Sequence, residues 1–150
     1  MELSGRCRCG AVQYTVAMTA LPATYACHCA YCQTWSGSAF ALHALLPASL
    51  VTIRGETSEY AYAGEGGVMS RHWSCPTCAT RIANENDAVP GMVILRAGTL
   101  DRSSELTPVA HIWTNRKQPW VQIAPDVAAF ETSPTPEAFG AALAKAAIPS

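Results

Sequence analysis

The strongest chemical signal in the sequence is a group of three closely spaced cysteines, Cys27, Cys29 and Cys32, in the pattern C-x-C-x-x-C. A disulfide would pair two of these thiols and leave the third alone, whereas three thiolates from one loop can occupy three corners of a tetrahedral metal site. Zinc prefers four ligands. A fourth side chain would make the site structural, and a fourth position left to water or substrate would make it reactive.

Four further cysteines form two short pairs, Cys7 with Cys9 and Cys75 with Cys78. Together they provide four sulfurs, which is the composition of a closed structural zinc site. Other groupings of the seven cysteines are arithmetically possible. The division into four plus three is the simplest, because it leaves no thiol unused and keeps the short triplet on its own ion.

Several other polar residues are candidates for the triplet site. The ring of His28, inside the triplet, lies either near the metal or in solvent. We expect His72 to be half-exposed on a strand and His43 to be a satisfied strand histidine. If a histidine or Asp101 completed the triplet, that zinc would be closed and structural.

Composition restricts the class of protein. The chain has 150 residues and a formal net charge of −1, which predicts one domain with a real core and gives no reason to expect nucleic acid or an acidic membrane surface as a partner. Neither a secretory signal nor an apolar stretch of about 20 residues is apparent. Closely spaced cysteines without an export signal favour metal over disulfides and predict a cytoplasmic protein.

The sequence predicts that short strands position these cysteines. Tyr14 and its neighbours alternate between apolar and polar side chains, which is typical of a half-buried strand. Similar segments predict about nine strands in all, the last at residues 121–123, and one helical turn is expected at residues 33–35. A longer helix is predicted from Pro136, with Thr135 as its cap and Phe139 on its apolar face. The expected fold is mostly antiparallel β.

With these motifs in order, the chain resembles the glutathione-dependent formaldehyde-activating enzyme family, also called the GFA/CENP-V domain. The matching segments are residues 5–10 (GRCRCG), 27–33 (CHCAYCQ), 36–40 (SGSAF), 71–78 (RHWSCPTC), 98–101 (GTLD) and 111–113 (HIW), with Lys117 and Trp120. One position departs from the usual family pattern. Ala79 stands where glycine is common, so we expect a slightly different loop backbone with zinc binding retained.

The resemblance implies a β-tent fold of small antiparallel sheets stapled by zinc, with a C-terminal helix, as a single GFA-like zinc-binding domain over residues 1–150. It implies two zinc ions per chain. The structural zinc ligands are Cys7, Cys9, Cys75 and Cys78, and the catalytic zinc ligands are Cys27, Cys29 and Cys32. The implied activity joins glutathione to formaldehyde to give S-(hydroxymethyl)glutathione, which is a carbon–sulfur lyase activity.

The resemblance also gives the remaining side chains a possible use. The carboxylates of glutathione could be held by four basic residues whose default position is the solvated surface, namely Arg6, Arg8, Arg71 and Lys117. The tryptophans are expected in the core or in a pocket wall, and they are Trp35, Trp73, Trp113 and Trp120.

Three functions remain open at this stage. The first is a zinc-dependent lyase that adds glutathione thiolate to a small aldehyde. The second is a non-catalytic zinc protein that binds glutathione or another thiol, and the third is a structural two-zinc interaction domain. The fourth ligand at the triplet separates the third function from the other two. The sequence does not specify the aldehyde or the oligomeric state.

Overall fold

A computed structural model describes residues 2–146 as mostly β, with two α-helices and several short 3-10 turns. The strands are β1 (Leu3–Arg6), β2 (Gln13–Val16), β3 (Thr24–Cys27), β4 (Ala41–Pro47), β5 (Val51–Arg54), β6 (Ser58–Ala63), β7 (Met69–Ser74), β8 (Arg81–Asn86), β9 (Met92–Arg96), β10 (Pro108–Ile112) and β11 (Ala128–Ala129). The helices are α1 (Ala30–Ser36) and α2 (Pro136–Ala146). The prediction of a mostly β chain with a C-terminal helix is confirmed.

The described chain forms two compact units. The first unit contains residues 2–22 and 44–105, and the second contains residues 23–43 and 106–146. Strand β4 begins in the second unit and ends in the first. The expectation of one domain over residues 1–150 stays a prediction.

In the first unit, β2 pairs with both β1 and β5 in antiparallel register. The predicted alternation in β2 is present, because Tyr14 and Val16 are buried while Gln13 is exposed. The hydroxyl of Tyr14 lies 2.8 Å from the hydroxyl of Thr99, so this buried phenol has a hydrogen-bond partner. Gly5 makes room for the ring, since a Cβ at that position would lie 2.2 Å from it.

The first unit also contains strands β6, β7, β8 and β9, each antiparallel to the next. The turn between β7 and β8 contains Cys75 and Cys78, and the turn between β1 and β2 contains Cys7 and Cys9. Two hairpin turns therefore carry all four sulfurs of the predicted structural site. A turn suits this task because its bent backbone lets side chains separated by one or two residues converge.

In the second unit, β3 pairs antiparallel with β4 on one side and parallel with β10 on the other. Every residue of β3 is buried, as expected of a strand with neighbours on both edges and covered faces. The short strand β11 is parallel to β10, so this unit is mixed rather than purely antiparallel. Helix α2 places Phe139 edge-on to Tyr25 at 4.8 Å between ring centroids.

The predicted cap of α2 is also present, because the hydroxyl of Thr135 accepts a hydrogen bond from the backbone N–H of Ala138 at 3.2 Å. The expected strand at residues 121–123 is wrong. This segment follows a turn closed by the N–H of Val121 and the carbonyl of Gln118 at 3.1 Å, and no strand pairs with it among residues 2–146. No helix in this range combines the length and the apolar character needed to cross a bilayer.

Candidate metal centres

The first unit brings the sulfurs of Cys7, Cys9, Cys75 and Cys78 within 4.8 Å of one another. The Cys9 sulfur lies 3.7 Å from that of Cys7 and 3.7 Å from that of Cys75. Two sulfurs that each lie about 2.3 Å from one tetrahedral zinc are about 3.8 Å apart, whereas a disulfide needs about 2.05 Å. All four thiols are free. The four residues therefore fit a zinc ion and are too far apart for disulfides.

Hydrogen bonds from the two turns support thiolates in this cluster. The backbone N–H of Val12 donates to the Cys7 sulfur at 3.2 Å, and that of Cys78 donates to the Cys75 sulfur at 3.5 Å. The hydroxyl of Thr80 lies 3.1 Å from the Cys78 sulfur and lowers the pKa of that thiol to about 5, with help from backbone N–H groups. The donors at Cys7 and Cys78 favour the charged form that a metal requires, whereas burial and the neighbouring thiols raise the pKa of Cys9 to about 11.

The backbone at Ala79 has φ of +63°, which lies in the left-handed region that favours glycine. Its N–H donates to the carbonyl of Cys75 at 2.9 Å and so closes the turn around the sulfurs. The expected difference from the loop backbone of the family stays a prediction. The turn takes the conformation that suits glycine, and alanine bears the strain.

The second unit brings together the sulfurs of Cys27, Cys29 and Cys32, again within 4.8 Å of one another. Cys27 is the last residue of β3 and Cys32 lies in the first turn of α1. Cys29 is the N-cap of that helix, and its sulfur accepts the backbone N–H of Cys32 at 3.4 Å. Because this cap starts the helix at Ala30, α1 is longer than the single turn expected at residues 33–35.

The three thiols differ in exposure and in acidity. Cys27 and Cys32 are buried, while Cys29 is partly exposed. Hydrogen bonds with Cys27 and Cys32 lower the pKa of Cys29, whereas hydrogen bonds with Cys29 and Cys32 raise the pKa of Cys27. One thiolate can be stabilised by two neighbouring S–H groups, but three thiolates this close need a cation. The donor set therefore fits a thiophilic metal ion such as zinc.

Within residues 2–146, no histidine, carboxylate or fourth cysteine joins this group within 4.8 Å of all three sulfurs. Asp101, one candidate for closing the site, instead accepts a hydrogen bond from Ser4 at 2.6 Å and lies 4.0 Å from Arg6. The described chain thus offers four sulfurs in one place and three in the other. The division into four plus three is the one that the geometry has.

His28 lies between two of these cysteines and is completely buried, so the alternative of a solvent-facing ring is wrong. Its Nε2 lies 2.8 Å from Nδ1 of His111, and the two rings are stacked at 5.1 Å between centroids. Burial, with contributions from His111 and Lys117, lowers the pKa of His28 to about 4. Burial also lowers the pKa of His111, so both rings are neutral at pH 7.

The other two histidines from the sequence analysis lie on strands. His43 is a buried residue of β4, edge-on to Tyr25, so its expected place on a strand is confirmed, while the expectation that its ring is satisfied stays a prediction. His72 in β7 is also buried, at 4% exposure, so the expectation of a half-exposed ring is wrong. Its Nε2 lies 2.9 Å from the hydroxyl of Ser70, and its Nδ1 faces the guanidinium group of Arg81.

The basic residues considered for carboxylate binding have other interactions or lie at the surface. Arg71 pairs with Asp87 at 3.0 Å, and Arg8 is exposed. Lys117, in the second unit, donates to the carbonyl of Val121 at 2.7 Å. None of these contacts identifies a carboxylate site.

Sequence reasoning missed the roles of Gln33 and His111 as supports of the triplet. The Gln33 amide donates to the carbonyl of His28 at 2.7 Å and to that of Arg116 at 2.8 Å, which ties α1 to the turn that follows β10. Both residues stand in segments that carried the family resemblance, yet no local pattern in the sequence indicates which groups they bind.

An aromatic residue completes the surroundings of the triplet. Trp113 packs with Ile112 against the buried cluster that contains Cys27 and Cys32. Its φ of 59° is left-handed, and its indole N–H donates to the hydroxyl of Ser133 at 3.1 Å. The expectation of a core or wall position holds for Trp113.

A cleft of about 430 Å³ lies beside α1 in the same unit, and Trp120, which is 70% exposed, forms part of its wall. Its lining residues carry no formal charge and are Gln33, Thr34, Gly37, Ser38, Ala39, Gln118 and Trp120. The cleft therefore offers amide, hydroxyl and aromatic groups to a ligand, and no cation among these lining residues.

Comparison with known proteins identifies the family and a structure of similar fold. The family model described as glutathione-dependent formaldehyde-activating enzyme matches residues 2–116, which include all seven cysteines. A crystal structure of a Rhodobacter sphaeroides protein superposes with a TM-score of 0.55 at 22% identity, over 70% of this chain and 97% of that one. That likeness concerns the fold. A search of curated proteins found no significant match. The chain belongs to the glutathione-dependent formaldehyde-activating enzyme family.

Proposed function

We propose that the protein is a zinc-dependent carbon–sulfur lyase that adds the thiol of glutathione to a small aldehyde. The observation that supports this proposal is the group of three sulfurs from Cys27, Cys29 and Cys32, which no fourth protein ligand joins among residues 2–146. Family membership supplies the chemical class of the two substrates.

The two cysteine groups have different tasks in this proposal. Cys7, Cys9, Cys75 and Cys78 supply the four sulfurs that saturate a structural zinc ion. Cys27, Cys29 and Cys32 hold the catalytic zinc through three thiolates and leave one position for a ligand from outside. A zinc ion bound there would keep a fourth thiol in its thiolate form and so supply a nucleophile at neutral pH.

The reaction is a simple addition. The sulfur of the thiol forms a bond to the carbonyl carbon, the carbonyl π bond breaks, and the proton released by the thiol ends on the former carbonyl oxygen. No oxidant or reductant is consumed. The protein contributes thiol activation and proximity, and the wall that contains Ile112 and Trp113 keeps one side of the triplet apolar.

The cellular setting follows from the same chemistry. All seven cysteines are free thiols, and metal binding requires that they stay reduced. We therefore infer a reducing compartment such as the cytoplasm as the place of action.

The test is adduct formation between glutathione and formaldehyde, followed by NMR exchange spectroscopy with purified zinc-loaded protein. We expect exchange to be faster than in buffer and to return to the buffer rate with Cys29→Ser. The matched ligand control is S-methylglutathione, which has the same peptide but no thiol and should not exchange.

Two other results would each refute the lyase proposal. Glutathione binding that weakens in Cys29→Ser without any acceleration of exchange would make the protein a thiol-binding module. If glutathione neither binds nor reacts, the two-zinc interaction domain is the better description.

A further inference from the structure

The residue between two of the triplet ligands, His28, is held by several neighbours. Three hydrogen bonds reach His28, which is completely buried. Its backbone N–H donates to the carbonyl of Ile112 at 3.0 Å, its own carbonyl accepts from Gln33 at 2.7 Å, and its ring Nε2 lies 2.8 Å from Nδ1 of His111. Both its backbone groups and its ring are therefore fixed by neighbours.

Two of these three contacts come from β10. This strand runs parallel to β3, with His111 opposite Ala26 and Ile112 opposite Cys27. The contact between the rings of His28 and His111 lies one residue beyond the end of β3. It therefore links the paired strands to the loop that carries the sulfurs. The imidazole of His111 thus forms a brace between a regular strand and an irregular loop.

We infer that His111 is a positioning residue for the three-cysteine metal site, acting through the ring of His28. One peptide unit separates His28 from Cys27 and another separates it from Cys29, so a rotation of His28 would move both sulfurs. The distances from a metal to its ligands stay within about 0.2 Å of their usual values, so the site tolerates little displacement of a sulfur. Groups that orient a ligand from outside the coordination sphere are typically worth about 10–100-fold in metal affinity.

The competing explanation is that the pair of buried rings only fills space in the core of the unit. His43 allows the two explanations to be separated. It is a buried histidine of the same unit, on β4, where its ring contacts Tyr25 rather than the ligand loop. Replacing it removes a buried imidazole from the same unit and leaves the 2.8 Å contact between the rings of His28 and His111 in place.

The experiment compares His111→Leu, His111→Asn and His43→Leu in the full chain loaded with zinc. Asparagine keeps a polar group near the position of Nδ1, whereas leucine does not. A chelator competition resolves the affinities of the two metal sites, and Cys29→Ser identifies the step that belongs to the triplet. The four-cysteine site is the internal reference.

We expect His111→Leu to weaken zinc binding at the triplet about 10–100-fold and to leave the four-cysteine site unchanged. His111→Asn should recover most of this loss. His43→Leu should lower the melting temperature while leaving the triplet affinity as it is. Equal losses in His111→Leu and His43→Leu, or no loss in His111→Leu, would overturn the inference.

A second measurement on the unmodified protein covers the case in which His111→Leu does not fold. Long-range ¹H–¹⁵N spectra report the ring nitrogens of His28 and His111 directly. Zinc binding at the triplet should shift both signals, and absence of a shift would contradict the brace. The inference rests on metal binding at the site proposed above. Since neither readout needs turnover, a failed aldehyde reaction and a failed brace can be told apart.

Discussion

Replacement of Ala79 by glycine should stabilise the first unit, because Ala79 is held in a left-handed conformation. Its φ is +63°, and its N–H closes the turn around the four-cysteine cluster by donating to Cys75. The turn conformation is set by that bond and by the bond that the N–H of Cys75 donates to the carbonyl of Thr80 at 2.9 Å. The alanine side chain therefore contributes strain and is itself exposed.

Three effects decide the magnitude. A residue with a Cβ pays about 1–2 kcal/mol to occupy the left-handed helical region, and glycine removes this strain. Glycine also has the more disordered unfolded state, which takes back about 0.4–1 kcal/mol. The lost methyl group is exposed and contributes little. The net gain for Ala79→Gly is about 0.5–1 kcal/mol, or roughly 1–4 °C in melting temperature for a chain of this length.

The assay is thermal and urea unfolding at one fixed zinc concentration, because metal binding to the native state shifts the apparent stability. The matched control is Ala88→Gly. Ala88 is also an exposed alanine in a turn, but its φ is not positive, so its replacement should destabilise by about 0.4–1 kcal/mol. Destabilisation by both substitutions would show that Ala79 bears no strain.

Three further predictions concern the same unit and the triplet. Cys78→Ser should unfold the domain, since it breaks a site whose zinc contributes to folding, while Cys29→Ser should stay folded with one tightly held zinc. Circular dichroism and metal content per chain test this prediction. Equal unfolding of the two variants would count against separate roles for the two sites. Gly5→Ala should destabilise the fold by about 3 kcal/mol, because its Cβ would lie 2.2 Å from a tyrosine ring. Gly10→Ala should cost about 1 kcal/mol from backbone strain alone, since Gly10 has φ of +82° and its Cβ would have no atom within 4 Å. Equal losses of the two variants in urea unfolding would refute this ranking. Burial raises the pKa of Tyr14 to about 12 from 10.0, so the folded protein keeps the phenol protonated where the unfolded chain ionises it. The contribution of Tyr14 to the free energy of unfolding should be fully present below pH 10 and should fall by up to roughly 3 kcal/mol between pH 10 and 12. Tyr14→Phe should lack this fall.

The sequence correctly predicted the helix and the strand that are determined by neighbouring residues, namely a capping residue and an alternation of apolar and polar side chains. The helix from Pro136 begins with the Thr135 cap, and the alternation around Tyr14 is that of a half-buried strand. The prediction of a strand at residues 121–123 was wrong because so short a run of apolar and amide residues is compatible with other backbone conformations. In the structure the N–H of Val121 forms its hydrogen bond within a turn. Helix α1 was underestimated because a cysteine sulfur serves as its N-cap, which capping preferences do not anticipate.

The types and spacings of the cysteines were enough to indicate metal, and together with the other motifs they indicated the family. The triplet could be recognised because metal ligands on one tight loop are close in space whatever the rest of the chain does, whereas the grouping of Cys7 and Cys9 with Cys75 and Cys78 was only the simplest choice until the fold brought the two turns together. Only the tertiary structure decided the partners of His28, since His111 lies 83 positions further along the chain and reaches it through the parallel pairing of β3 and β10. Contacts of this kind depend on strand register, and register is a property of the packed sheet rather than of either strand alone.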